Sequence, residues 1–396
     1  MLKKISIKNF RSIENQQIEL APLVLIYGPT ASGKSSLLYS LLVAKNFLLN
    51  PNQQLNGFFN LIFQNLGGFN QVVFNKNKEL KIELKISTDD GDYGIGFSAK
   101  GGEVFLRSYL NNSDVELKGR ITFPYGLNQN FSKTVKIENK EFVINWNGIT
   151  ANISPKEPTA ENQQIAREIA ERLNRIPQVL RNIDIAPHRR GFFQPYYTPS
   201  SISHIPTAEN EVATIIINDP DLAPRISVDL EEITGREFRL YTPPGTSTVY
   251  FQTVDKKSRT PSFLVNDGFG VNQLVYILAK IHRPEIKIIL IEEPEIHLHP
   301  TVIRLFIRRI CSIVKEEKKQ IILVTHSETL VSSLLVAIKE GIISNQDVKL
   351  YLTQKENKAT VFKEQKVNEK GQVEGGLSSF MEGELEDLKI MLGVGK

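Results

Sequence analysis

Gly28-Pro29-Thr30-Ala31-Ser32-Gly33-Lys34-Ser35 has the glycine spacing with which a backbone curls round phosphate oxygens. It follows the apolar run Leu23-Val24-Leu25-Ile26-Tyr27 and precedes a helical pattern over 34–48, the strand–loop–helix context that the chemistry needs. There, backbone N–H groups and the helix start supply positive potential, Lys34 reaches the outer phosphates, and the Ser35 hydroxyl is a ligand for Mg²⁺. Gly28, Ser32, Gly33 and Ser36 complete the candidate contacts of this loop with a nucleotide.

Two further apolar runs end in groups that suit the same chemistry. Ile288-Ile289-Leu290-Ile291-Glu292-Glu293 delivers adjacent carboxylates at the carboxyl end of a strand, where open α/β sheets place their ligands. Glu292 is the candidate to hold Mg²⁺ or its water; Glu293, on the opposite phase of the backbone, is the candidate general base for the attacking water. Ile321-Ile322-Leu323-Val324-Thr325-His326-Ser327 ends in a histidine placed to sense the γ-phosphate.

Around these elements the patterning predicts two lobes. Residues 4–10 read as an edge strand, and from about 80 to 146 short alternating runs broken by Asp-Gly, Gly-Gly and Asn-Asn read as antiparallel sheet. Pro158 and Thr159 open an amphipathic helix with Ile165, Ile169, Leu173 and Ile176 on one face, ending before Pro177. The pentapeptide Pro-Thr-Ala-Glu-Asn recurs at 158–162 and 206–210 in unmatched flanks, which is shared helix-start chemistry and no internal repeat.

After Pro261 helix and strand alternate: helices at 271–282, 301–314 and 328–340, strands at 286–291, 320–324 and 348–352, the rhythm of a parallel sheet with crossover helices. Residues 380–392 read as a closing acidic helix. No heptads persist for several turns, which excludes long coiled-coil arms.

An apolar fraction of 41% over 396 residues supports a sizeable interior. Lys and Arg number 48 against 44 Asp and Glu, an excess too small to argue for nucleic acid by itself. A single cysteine, Cys311, allows no internal disulfide and suits a reducing compartment; its apolar phase points to packing. Residues 1–10 lack the pattern of a signal peptide, and no run reaches the roughly 18 apolar residues of a membrane span. The expectation is a cytoplasmic protein that does not enter a membrane.

The three elements in this order resemble the ATPase heads of the ABC superfamily. The chain is similar to the ATPase part of the overcoming-lysogeny-defect nucleases and to stand-alone ATPases with an AAA-type core domain. It is more distantly similar to the heads of the structural-maintenance-of-chromosomes (SMC) and recombination-repair ATPases. Asn9-Phe10-Arg11-Ser12, Asp267-Gly268-Phe269-Gly270-Val271-Asn272-Gln273 and Glu292-Glu293-Pro294-Glu295-Ile296-His297-Leu298-His299-Pro300 carry the likeness. It covers most of 1–60 and 260–340, while 80–250 match weakly.

The resemblance implies a P-loop NTPase of ABC type: one head in two lobes over 1–396, a mixed and largely parallel sheet with crossover helices, an antiparallel β lobe and a small helical region. Residues 1–150 would hold the phosphate loop and the antiparallel part, 151–260 a helical and β insertion, and 261–396 the signature, the carboxylates and the histidine. It implies ATP and Mg²⁺, and a homodimer formed on ATP binding, in which the phosphate loop of one copy faces the signature of another. Gly270 and Asn272 would act in that signature, which departs from the common Leu-Ser-Gly-Gly. Arg11 matches an arginine that approaches the phosphates, with a surface arginine as the alternative reading. His297 and His299 fall in a segment that relatives place at the dimer interface. The glutamine that bridges metal and water is either Gln64 or Gln71.

Relatives often append a metal-dependent nuclease. The Asp-x-Asp at Asp219-Pro220-Asp221 reads as a helix terminus or turn, so nuclease chemistry would belong to a partner protein. His188-Arg189-Arg190 with Phe192, Phe193, Tyr196 and Tyr197 could stack on DNA, or pack on the ATPase lobe. Arg304, Arg308 and Arg309 read as a solvated charged face. The expected process is DNA-linked, in repair or in defence against foreign DNA; the alternative is an ATP-gated module controlling a partner effector without DNA contact. A transporter subunit fits less well, because the glutamate pair and the residues after it go with the nuclease-linked branch.

Overall fold

The structure, a computed structural model, describes residues 1–110, 113–137, 139–377 and 390–392. Its centre is a six-stranded sheet in the order Ile183–Ala186, Ile288–Glu292, Gln320–Thr325, Leu23–Tyr27, Val348–Glu356, Ala359–Glu364. The first five strands run parallel and the last folds back antiparallel. The central strands are buried throughout, as strands covered on both faces must be. Register does the functional work: Glu292 pairs Val324, Val324 pairs Ile26, and Thr325 pairs Tyr27. The loop after Tyr27, the carboxylates and the histidine therefore leave the same edge.

Alternate residues of these strands feed separate cores. Val24, Ile26, Leu290, Ile322 and Val324 pack with the helix Lys34–Leu49 and the antiparallel sheet; Leu23, Leu25, Ile289, Ile291 and Leu323 pack with the helices Phe269–Ile281, Pro300–Glu316 and Glu328–Lys339. The antiparallel sheet runs Ile13–Glu19, Lys4–Phe10, Ile82–Ser87, Gly91–Ser98, Gly101–Leu110, Ser113–Ile121. Lys4–Phe10 is thus an interior strand and not an edge, because the polar segment Ile13–Glu19 pairs along its outer side. A three-stranded sheet (Ala151–Pro155, Lys140–Trp146, Phe131–Ile137) adjoins it in sequence. A smaller sheet of Tyr196–Tyr197, Val249–Asp255, Arg236–Tyr241 and Pro261–Phe263 lies on the other side of the chain order.

The helix at 158 starts where expected, with the Thr159 hydroxyl accepting from the Asn162 N–H at 3.2 Å, but it runs Ala160–Gln178. Pro177 is accommodated in the last turn because the buried Leu173 and Ile176 hold that turn against the core. Both Pro-Thr-Ala-Glu-Asn copies do start helices, the second at Glu209–Asn218. Asp219 and Asp221 form the turn between that helix and Leu222–Thr234, the Asp221 N–H donating to Asp219 Oδ1 at 3.0 Å. The closing helix expected over 380–392 lies outside the described residues apart from 390–392. Among the described residues no helix is long and apolar enough to cross a membrane.

Candidate functional site

The phosphate loop is clamped from beneath by the hairpin Val348–Glu356/Ala359–Glu364. Thr353 Oγ1 donates to the Tyr27 carbonyl at 3.0 Å and lies 2.8 Å from Ser32 Oγ. Thr360 Oγ1 donates to the Ser32 carbonyl at 2.7 Å, and its N–H donates to the Ser12 carbonyl at 2.7 Å. A side chain at Gly28 would collide with Thr353 and one at Gly33 with Thr360 and Ser12; both also have positive φ, 151° and 101°. The loop glycines are therefore required by a strand more than three hundred residues away in sequence.

Lys34 donates from Nζ to the carbonyls of Gly28 (2.8 Å) and Pro29 (3.0 Å) and stands 3.2 Å from His326 Nδ1. Burial pushes the ammonium down to about 8, against the pull of Glu293 and Glu295. His326 Nε2 is 3.2 Å from Glu293 Oε1. Burial, then the nearby Lys34, hold His326 below its ordinary value, so the ring is neutral at neutral pH. The tautomer that satisfies both contacts accepts at Nδ1 and donates from Nε2–H to Glu293. Lys34, His326 and Glu293 thus form one chain of polar contacts at the sheet's carboxyl edge.

Glu292 is buried beside Ser35. Burial alone would raise its carboxyl; hydrogen bonds from His188, Ser35 and Tyr39 outweigh it, and the group is held below its usual range. Tyr39 OH donates at 3.3 Å, the His188 N–H at 3.4 Å, and His188 Nδ1 stands at 3.6 Å. An ionised carboxylate next to a serine hydroxyl is a hard oxygen set that fits Mg²⁺, which takes few protein ligands beside phosphate oxygens.

Several positioning residues lie in stretches that the sequence singles out, but their roles come only from the fold. Arg190 is buried, pushed down to about 10 by that burial, and donates to the carbonyls of Pro187 (2.8 Å), Glu292 (2.6 Å) and Glu293 (2.8 Å). It fixes the strand end that bears both carboxylates, where Glu293 adopts φ 44°. Glu295 Oε1 accepts from Thr325 Oγ1 at 2.6 Å and from the His326 N–H at 3.0 Å, which sets the histidine. Arg11, at φ 52° in the first hairpin turn, places its guanidinium 5.2 Å from the centre of the Tyr39 ring.

A cleft of about 640 Å³ gathers Arg11, Gly33, Lys34, Ser35, Ser36, Glu293 and His326. Gln71, in the short helix Phe69–Val72, lines it and Gln64 does not. Gly28, Ser32, Gly270, Asn272 and Glu292 do not line it, Glu292 lying buried beneath Ser35. The Ser32 hydroxyl faces Thr353 below the loop, and the buried Asn272 amide is spent on Phe192, accepting from its N–H and donating to its carbonyl at 2.7 Å each. Gly270 packs on the segment after the carboxylates, where a Cβ would lie 2.5 Å from the His297 carbonyl oxygen. The exposed groups of that helix start are Phe269 and, 5.8 Å from its ring, Phe193; the His297 ring lies 5.2 Å from Phe269, tilted by 58°.

The remaining candidates lie outside the cleft, each with a contact of its own. His299 Nδ1 accepts from the Thr301 N–H at the start of Pro300–Glu316. Arg304 and Arg308 pair with Glu340, and Arg309 with Asp229. Cys311 is buried, its thiol pushed up to about 12 by that burial.

A glycine-framed phosphate loop, paired carboxylates and a histidine on neighbouring parallel strands define a nucleotide-binding P-loop ATPase, in the form of an ABC-type ATPase head. Over residues 23–332 the chain matches the family described as "AAA domain, putative AbiEii toxin, Type IV TA system", and it belongs to that family. Among solved structures it is similar to the SMC head domain from Thermotoga maritima, at 13% identity and a TM-score of 0.44 over 92% of this chain and 98% of that one. It is similar also to an SMC head bound to the C-terminal winged-helix domain of ScpA, at 12% identity and TM-score 0.48 over 93% and 98%. A third is the SMC head with an extended coiled coil bound to the C-terminal domain of ScpA derived from Pyrococcus furiosus, at 12% identity and TM-score 0.46 over 98% and 99%. No curated protein matches the sequence.

Proposed function

We propose that the chain binds ATP with Mg²⁺ and hydrolyses it in a site completed by a second copy. Lys34, Gly28, Gly33 and Ser36 cradle the phosphates, Ser35 and Glu292 hold the metal, and Arg11 and Gln71 approach from the first hairpin and the short helix. Bound Mg²⁺ would supply charge neutralisation at the phosphates. Glu293 is the general base for the attacking water, and His326, neutral and donating to Glu293, orients that carboxylate and senses the γ-phosphate. The contact chain Lys34–His326–Glu293 is the observation that carries this reading. Gly270, with the exposed Phe269 and Phe193, marks the face offered to the partner copy, in place of Asn272. On this reading 1–396 is one head in two lobes, with its site drawn from 1–150 and 261–396 and steadied by Arg190 of the 151–260 part.

Glu293→Gln tests it: ATP and Mg²⁺ should bind and trap a dimer in gel filtration with light scattering. A variant that stays monomeric with ATP bound sinks the composite site.

The switch would serve either a DNA-linked process, in repair or defence, or a partner effector. The burial of Arg190, Phe192 and Tyr197 withdraws these three from any DNA surface, though Arg189, Phe193 and Tyr196 stay exposed, and favours the ATP-gated module acting on an effector or nuclease partner in the cytoplasm. Retention of the ATP-trapped dimer on double-stranded DNA at physiological salt would reverse that preference.

A further inference from the structure

The cleft is more cationic than the loop chemistry uses. Lys355 and Lys358 reach it from the tip of the hairpin Val348–Glu356/Ala359–Glu364, and Lys76 from the turn after Phe74. With Arg11 and Lys34 they make five cations against one lining carboxylate, Glu293. Among the described residues none of Arg11, Lys76, Lys355 and Lys358 has a carboxylate within ion-pair distance; the exposed Lys355 donates from Nζ only to the Lys358 carbonyl, at 3.4 Å, and Arg11 lies over the Tyr39 ring with Glu292 as its nearest opposite charge. Arg11 and Lys355 work against each other: burial, then the Arg11 charge, holds the Lys355 ammonium below its ordinary value. Like charges gathered around one cavity are unfavourable unless an anion enters it.

The hairpin cannot relieve the repulsion by swinging out. Thr353 and Thr360 bind it to the phosphate loop on the face that also carries Lys355, which pairs Thr360 across the strands. The tip itself is strained. Asn357 and Lys358 have φ of 46° and 79°, a turn whose second position ordinarily takes glycine, yet a lysine is held there over the cleft.

The geometry points to a second phosphate-binding wall, in which Lys355 and Lys358, assisted by Arg11 and Lys76, hold the polyphosphate of the nucleotide in addition to the loop. It rests on the reading of the cleft as a nucleotide site and extends it to the far end of the chain: the same hairpin that shapes the loop also supplies cations to its ligand. Affinity should then grow with phosphate count and fall with salt more steeply than the loop alone would give.

Isothermal titration of the full chain with ATP and with ADP, at low and physiological salt, separates the possibilities. Lys355→Gln/Lys358→Gln should weaken ATP binding on the order of tenfold, weaken ADP binding less, and flatten the salt dependence, with an unchanged melting temperature. Lys355→Arg/Lys358→Arg, which keeps the charge, should bind like the parent. Binding of ATP by the glutamine pair within about twofold of the parent at both salts, while Lys34→Ala has lost it, overturns the second wall and leaves the nucleotide site standing. Undiminished binding by Lys34→Ala overturns the nucleotide site and the wall with it.

Discussion

Asp184→Asn should destabilise the protein by about 3–5 kcal/mol, the usual cost of breaking a buried ion pair by deleting one partner. Asp184 lies in the edge strand Ile183–Ala186 with no exposed surface. Its two oxygens each accept from Lys280 Nζ at 2.9 Å, and Oδ2 also accepts from Arg283 Nη1 at 2.6 Å. Burial would raise the carboxyl, but Lys280, Arg283 and Lys45 outweigh it and keep it ionised. Asparagine preserves the shape and removes the charge, leaving a fully buried Lys280 and its neighbours uncompensated. The cluster joins the helix that begins at Lys34, through Lys45 bonded to the Ile183 carbonyl, to the helix that begins at Phe269.

Urea unfolding monitored by circular dichroism would measure the loss, and Asp184→Asn/Lys280→Met should recover at least half of it by removing the orphaned ammonium. A loss below about 1 kcal/mol for the single variant would refute the claim that the pair is a buried, mutually dependent unit. The pH dependence has a definite sign. Lys45 titrates at about 8 in the fold against its ordinary 10.5. Between those values the unfolded chain holds more protons, so this group adds stability as pH rises through that window.

Other parts of the structure make equally specific demands. The buried His282 sits 2.7 Å from Asp229 and 2.9 Å from Glu317; burial would lower it, yet these carboxylates raise it above 6.5. Its stabilisation is fully present below 6.5 and lost as pH rises through the raised value, and His282→Gln should erase that part of a melting-temperature profile. Glu295→Ala removes both bonds that set His326 and should slow hydrolysis on the order of 10²-fold while ATP affinity, read by titration, changes little. Gly33→Ala drives a methyl into Thr360 at φ 101° and should abolish nucleotide binding; Thr360→Ala should not restore it, because the backbone conformation still excludes a side chain.

The chemistry-bearing residues were legible because each is announced locally, by an apolar strand that ends in a glycine, two glutamates or a histidine. Crossover helices after Pro261 were legible for the same reason. Their surroundings were not. Tyr39, Thr353 and Thr360 act through contacts across tens to hundreds of residues, and nothing in their own neighbourhoods marks them; Arg190 and Glu295 lie in stretches that stand out in the sequence, but their partners do not. Lys4–Phe10 read as an edge because its outer neighbour, Ile-Glu-Asn-Gln-Gln-Ile-Glu, buries only Ile13 and Ile18 and shows no alternation. Asn272 looked like a site residue from its segment, and only the fold reveals that its amide is committed to Phe192.

The central claim is that Lys34, His326 and Glu293 form an ATP-hydrolysing site shared between two copies. Steady-state ATP hydrolysis across a range of protein concentrations tests it most directly. The specific rate should rise with protein concentration and fall by roughly 10²–10⁴ in Glu293→Gln. A specific rate independent of concentration, or one that survives Glu293→Gln, would contradict it.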